Sequence, residues 1–251
     1  MKINQFNENT QEGLFLVNKP RGKSSFWVVR QFKKRYPELK VGHAGTLDPL
    51  AEGLLIILVG RATKRQKEFK NLDKEYEVEM IFGVTTDSFD LEGELKISSC
   101  FENLEKINRE KIEQIVRKKY LGKIVQTVPL YSAVKHKGQR LYRLARKGNH
   151  KKIVLPKKEV DLIKFSIIEF FPLKEKRIKP VDYKKALKNF PKLKINLKVS
   201  KGFYVRSFVS DLGKEFRVGA VTTKLVRTKI GPHLLDEAIE IKEDIQASED
   251  R

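Results

Sequence analysis

The stretch Gly42-His43-Ala44-Gly45-Thr46-Leu47-Asp48-Pro49-Leu50-Ala51-Glu52-Gly53, running directly into Leu54-Leu55-Ile56-Ile57-Leu58-Val59, decides how the rest of the chain reads. Three glycines in its first twelve residues demand tight backbone, and the aliphatic run behind them has no polar face. Such a run marks a strand buried on both sides, although periodicity alone does not separate it from a buried helical segment. A strand is expected over 54–59, with a loop over 42–49 leading into it. Asp48 is then a loop carboxylate held beside a buried strand. The plainer alternative is an Asp that caps a turn ahead of a pre-organised proline. The glycine spacing fits neither a P-loop nor a dinucleotide fingerprint, so no nucleotide cofactor is expected.

Working outward, Gly13-Leu14-Phe15-Leu16-Val17 reads as a short strand closed by the Pro20–Gly22 turn. Ser24-Ser25 can cap a helix from Phe26 to about Tyr36, which must stop before Pro37 because a residue preceding proline is pushed out of the helical region. Tyr76, Val78, Met80 and Phe82 alternate with acids, a strand with one face buried and Tyr76 pointing inward. Leu104, Ile107, Ile112, Ile115 and Val116 recur at helical spacing, and Leu193, Ile195, Leu197 and Val199 alternate with polar residues. Helices and strands are interspersed without an internal repeat or a Gly/Ser linker, which predicts one α/β-type (mixed α+β) domain with a mixed sheet and a basic insertion.

The 251 residues carry 53 Lys+Arg against 32 Asp+Glu, a formal charge of +21, with 40% hydrophobic residues, enough for a core. The excess is concentrated. Residues 131–160 hold ten cations and the single acid Glu159, and Tyr131 and Tyr142 lie among them, a pattern that suits a phosphate backbone with unstacked bases. A solvated helix face of ordinary lysines is the alternative. Residues 233–251 carry seven acids against Lys242 and Arg251, so this tail is not expected to touch RNA. One cysteine, Cys100, excludes an internal disulfide framework, and four scattered histidines leave no zinc cluster to expect. The first residues have no apolar signal core, and the longest aliphatic run is far below the roughly 20 residues that span a bilayer. A cytoplasmic protein without membrane contact is expected.

Several motifs together resemble one family. The loop Gly42 to Leu55 is similar to the catalytic motif of the bacterial B-type tRNA pseudouridine synthases, which isomerise uridine 55 in the T-loop of tRNA. Others follow in that family's order: Val17 to Ser25, Lys74-Glu75-Tyr76, Pro129 to Lys135, Gly138 with Tyr142, Ala145, Arg146 and Gly148, then Ser200 to Ser207, and Leu225 within 219–232. Sister families carry Arg before the Leu-Asp pair where this chain has Thr46, which points to the B-type branch.

The resemblance implies a pseudouridine synthase fold, a central mixed, mostly antiparallel sheet flanked by helices and loops, over residues 1–232. It implies a basic thumb insertion at about 126–157 that closes over the T-arm. It also implies an isomerase that needs no cofactor and no metal. Asp48 corresponds to the essential carboxylate, which acts at the anomeric carbon as nucleophile, base or partner of an oxocarbenium-like centre. Arg206 corresponds to the arginine paired with it, an opposite charge that orients it. Tyr76 corresponds to the tyrosine that stacks on the target base and helps remove the C5 proton, where the residues alone read as a core aromatic. His43 corresponds to the region that holds the RNA open once the uridine is flipped. Tyr204 and Leu225 line the uracil pocket, Lys19 with Pro20 braces the catalytic loop, and Lys64 meets phosphate. For these four a purely structural or solvent-exposed role is the alternative.

The chain departs from the family at Ser24, Trp27, Val221 and Val226, where Thr, Asp, His and Arg are usual. None removes the expected catalytic group, while loss of the cation at Val226 bears on tRNA affinity. The family's C-terminal RNA-binding (PUA-like) domain is expected to be absent or vestigial in the acidic 233–251, and a monomer is expected. The rivals are a non-catalytic tRNA-binding protein or RNA chaperone, a pseudouridine synthase with another RNA target, and a guide-RNA-dependent enzyme of the archaeal type.

Overall fold

The computed structural model describes residues 2–97, 100–136, 138–146, 154–174 and 187–241. Residues 137 and 147–153 of the expected thumb, Gly148 among them, and residues 242–251 of the acidic tail lie outside the described residues. In chain order the elements are strands β1 (Gln5–Asn7) and β2 (Glu12–Lys19), helix α1 (Ser25–Arg35), strands β3 (Val41–Ala44) and β4 (Glu52–Gly60), a 3-10 turn (Arg61–Arg65) and helix α2 (Gln66–Asn71). Next come β5 (Lys74–Phe82), β6 (Val84–Thr85), β7 (Lys96–Ile97), α3 (Phe101–Glu105), α4 (Arg109–Lys119), β8 (Gly122–Thr127), β9 (Lys135–His136), β10 (Gln139–Arg140) and α5 (Leu141–Arg146). The chain closes with β11 (Lys157–Phe171), β12 (Lys192–Val199), α6 (Val205–Glu215), β13 (Ala220–Ile230), β14 (His233–Leu234) and β15 (Ile239–Glu240). The architecture is mixed α+β and the strand pairing is mostly antiparallel. Two compact units are made from Met1–Leu72 with Val226–Arg251, and from Asp73–Leu225.

In the first unit β4 is the central strand. It pairs antiparallel with β2 from Lys19↔Gly53 to Glu12↔Gly60, antiparallel with β3 over its later half, and parallel with β13 at Val226↔Glu52 and Arg227↔Gly53. Neighbours on both edges and cover on both faces explain the uninterrupted apolar run: Leu54 to Val59 are all fully buried. Alternate residues serve different layers. Leu54, Ile56 and Leu58 join Leu14, Leu16, Ala44, Ala62, Phe69 and Ile230 in one core cluster. On the other face Phe15 meets Phe32 of α1, with ring centroids 4.9 Å apart. Ser24 caps α1 by accepting from the Trp27 amide at 3.1 Å, and the helix ends at Tyr36 before the proline. Beyond Pro232, β14 pairs with β13 and β15 runs parallel to β2, tied by an Asn18 Nδ2 donation to Glu240 at 2.7 Å.

In the second unit β5 pairs with β12, β12 with β11, and β11 with β8, all antiparallel. The alternation of Leu193, Ile195, Leu197 and Val199 puts all four in the core, each at 1% exposure or less. Two expectations are corrected. The helical spacing from Leu104 to Val116 belongs to two helices, because Asn108 leaves helical geometry and its side chain caps α4 by accepting from the Lys111 amide at 2.8 Å. The stretch 42–49 is not all loop, since Val41–Ala44 form β3: its backbone amides and carbonyls find partners on β4.

Gly53, the second residue of β4, has φ +99, and an added Cβ would lie 2.5 Å from the Arg227 carbonyl oxygen. Left-handed strain and this overlap together should make Gly53→Ala cost more than about 2 kcal/mol, read as a lowered midpoint in urea.

Candidate active site

The Asp48 loop is held from three directions, all within the first unit. Arg227, 1% exposed on β13, donates from Nε to the Leu54 carbonyl at 2.7 Å and from Nη2 to the Gly45 carbonyl at 3.0 Å. Ser25, at the start of α1, brackets Leu47: its Oγ donates to the Leu47 carbonyl at 3.1 Å and accepts from the Leu47 amide at 2.8 Å. The Gly22 amide donates to the Pro49 carbonyl at 2.8 Å. Lys19 is fully buried and its ammonium donates to the carbonyls of Pro20 and Lys23, at 2.8 and 2.6 Å, which shapes the turn that supplies the Gly22 amide. Leu47, Leu50 and Ala51 anchor the loop in the core while Asp48 between them stays half-buried. A carboxylate on backbone fixed in this way is held in position without its own side chain having to be buried.

His43 lies on β3, half-buried, and its carbonyl accepts from Gln66 Nε2 at 2.6 Å. Its Nδ1 is buried and has no hydrogen-bond partner among the described residues. Burial first, then the positive charges of Arg227 and Lys70, push its pKa down to about 4, so the imidazole is neutral at pH 7. Lys64 is exposed on the 3-10 turn after β4.

The second unit holds the other four expected residues. Tyr204 and Arg206 come together at the start of α6. Gln126, 2% exposed at the end of β8, accepts from the Tyr204 amide at 2.9 Å and donates to the Tyr204 carbonyl at 3.2 Å. Ser207 Oγ donates to the neighbouring Thr127 carbonyl at 3.1 Å. Arg206 is 4% exposed; its guanidinium donates to the Ser88 carbonyl and, at 2.8 Å, to the Tyr131 carbonyl, and lies 3.5 Å from the Asp90 carboxylate. Asp90 is itself fixed by Ser88 Oγ at 2.6 Å and the Glu92 amide at 3.0 Å. Leu225 is buried on β13, and the neighbouring strand β5 carries Tyr76. Tyr76 shares the face of Val78, Met80 and Phe82 but is half-buried where they are fully buried.

Residues 31–205 match the model of the TruB family pseudouridylate synthase N-terminal domain. The chain belongs to the TruB family of pseudouridylate synthases. It is 40% identical over 225 residues to the tRNA pseudouridine synthase B of Fusobacterium nucleatum subsp. nucleatum, an alignment covering 90% of this chain and 70% of the relative. With the enzyme of the same name from Protochlamydia amoebophila it shares 39% identity over 231 residues, 91% of this chain and 78% of that one. Among solved structures, a Cbf5-Nop10-Gar1 complex matches 92% of this chain with a TM-score of 0.62 at 24% identity. An H/ACA RNP bound to a substrate RNA containing 2′-deoxyuridine matches with a TM-score of 0.60 at 22% identity. The chain spans about half the length of those two solved chains, 53% and 51%, and at such identity they speak for the fold. Lys19, Arg206 and Leu225 fall outside the residues that the family model matches.

For a TruB-family chain, the residues that sequence reading passed over are the ones that hold the loops. Arg227, Gln126 and Asp90 carry no motif on their own, and Ser25 was read as a helix cap and motif member but not as the clamp on Leu47; Arg227, Gln126 and Ser25 act through partners distant in sequence. Val226 was noted as a lost cation, while the buried cation is its neighbour. One signal was available for Asp90: Thr85-Thr86-Asp87-Ser88-Phe89-Asp90 gathers hydroxyls and carboxylates between two glycines, Gly83 and Gly93.

Removing the carboxylate in Asp90→Ala should cost about 3–5 kcal/mol in urea unfolding, because it leaves a buried guanidinium without its anionic neighbour. The His43 shift gives a pH dependence of definite sign. Its folded pKa lies below its unfolded one, so the penalty is absent above pH 6.5 and grows as pH falls toward 4. Wild type should therefore lose up to about 3 kcal/mol relative to His43→Gln across that window, measured by paired urea melts.

Proposed function

We propose that this chain converts uridine 55 in the T-loop of tRNA to pseudouridine, with Asp48 as the catalytic carboxylate. The observation that carries the reading is the immobilised 45–51 loop, on which Asp48 alone keeps an accessible ionisable group, in a chain of the TruB family. The reaction is an isomerisation. The N1–C1′ bond breaks and its electron pair leaves with the uracil; the base turns; C5 bonds to C1′; the C5 proton departs and N1 takes one up. Atoms and charge balance without a co-reactant. Asp48 meets the electron deficiency at C1′ as nucleophile, base or ion partner, the logic of glycoside cleavage.

The role proposed for Arg206 is to orient that carboxylate. Its burial and its contacts with two carbonyls and Asp90 support a fixed rather than a searching guanidinium. The half-exposed Tyr76 suits stacking on the uracil and removal of the C5 proton, and Tyr204 and Leu225 suit the walls of the base pocket. A uridine stacked within the T-loop must be flipped out to react, and His43, neutral with an unused Nδ1, suits a contact to the opened RNA. Lys19 braces the loop, Lys64 meets phosphate, and the basic 126–157 acts as a thumb on the T-arm within a catalytic domain of residues 1–232. The reading has the protein working as a monomer in the cytoplasm. No described helix is long and apolar enough to cross a membrane.

The test is tritium release from tRNA labelled at uridine C5. Wild type should release it, Asp48→Asn should fall by at least about a thousandfold, and tRNA with uridine 55 replaced should lose the signal. Tight tRNA binding without release by wild type would make the chain an RNA-binding protein on an enzyme's fold. Release that survives replacement of uridine 55 would move the target elsewhere.

A further inference from the structure

Residues 21–40 hold seven cations and one acid, Glu38, a second concentration of positive charge besides the thumb. Most of it lies on α1. The inner face of that helix, Val28, Val29 and Phe32, is buried, as an amphipathic helix requires. The outer face is unusual. Phe26 is 60% exposed, a large cost for a side chain that no core needs. The Arg30 guanidinium lies over its ring at 5.2 Å, one helical turn on, and the Lys23 ammonium lies over Trp27 at 5.2 Å. Lys34 extends the row, and the first turn of α1 has no acid.

This face adjoins the Asp48 loop within the same unit. Ser25 Oγ brackets Leu47, and the Gly22 amide reaches Pro49, so Phe26 and Trp27 follow directly the residue that clamps the loop. An RNA strand whose nucleotide reaches Asp48 can run on across the start of α1. There it meets flat rings, which accept any base, next to cations spaced along a helix, which accept phosphates.

We propose that the Lys23–Phe26–Trp27–Arg30–Lys34 face of α1 is an RNA-binding surface. It takes the substrate strand beyond the reacting nucleotide, by stacking an unpaired base and neutralising backbone phosphates. The inference rests on the pseudouridine synthase reading for the identity of the RNA, and charge complementarity selects its chemistry. An anionic membrane surface would want a broader apolar band than one exposed phenylalanine and part of a tryptophan.

The test is filter binding of a tRNA transcript by the full chain at several salt concentrations, with phosphatidylserine vesicles as a second arm and thermal melts as a fold control. Phe26→Ala combined with Trp27→Ala should weaken tRNA binding by about tenfold at every salt concentration, as expected for loss of stacking. Arg30→Gln should weaken it and lower the slope of log affinity against log salt by about 0.7, the value for one phosphate contact on a single strand. Ultraviolet cross-linking of wild type to the transcript should label the peptide that contains Phe26 and Trp27. Unchanged tRNA affinity and salt slope in both variants would overturn the proposal, as would an effect confined to the vesicles. Tritium release by wild type in the same preparation tests the function separately: its absence sinks the synthase reading, whereas binding changes without it still establish the surface.

Discussion

The guanidinium of Arg227, buried at the point where β13 runs beside the start of β4, holds together the part of the molecule where chemistry is expected. It ties the carbonyl of Leu54, fully buried near the start of the central strand, to that of Gly45, at the head of the Asp48 loop. An arginine buried this deeply is costly to desolvate, and the cost is offset only if its donors are met by acceptors of fixed position. The strand and the loop provide them, so the geometry of one constrains the other. Gly53 completes the constraint, because only a residue without a side chain lets β4 pass this close to Arg227.

The second unit repeats the device with different chemistry. Arg206 is fixed by carbonyls from two separate segments and by the Asp90 carboxylate, which is in turn held by a serine hydroxyl and a backbone amide. Gln126 uses both ends of its amide on the Tyr204 backbone, so β8 and the start of α6 cannot slide past one another without leaving buried polar groups unmet. Asp48, His43, Tyr76 and Tyr204, expected to meet substrate, are half-buried, and the residues that hold the loops and element ends around them, Arg227, Ser25, Gln126 and Asp90, are among the buried polar groups of the described residues.

Much of this was legible in the chain itself. Leu54 to Val59 announces a strand with no solvent face, and the alternation from Leu193 to Val199 announces a sheet face, because burial imposes a period that composition records. Ser24 before a periodic stretch and Pro37 after it delimit α1. The Asp48 loop was legible as a dense block of glycines around a carboxylate. Less legible were features that depend on a competing local interaction: Asn108 ends one helical pattern and caps the next, and Val41–Ala44 joins β4 although its glycine and histidine read as loop.

What the sequence by itself determined is the basic character and the elements whose burial imposes a period, β2, β4, β5, β12 and α1. Asp48, Tyr76 and Arg206 became candidates for chemistry through the resemblance of several motifs, taken in order along the chain, to one family. Only the tertiary structure decided which side chains hold those candidates still. Arg227 reaches Gly45 across 182 positions, Arg206 reaches Ser88 across 118, and Gln126 reaches Tyr204 across 78. A hydrogen bond requires only proximity and direction in space, and a single Arg, Ser or Gln carries no periodic signal from which such a partner could be read.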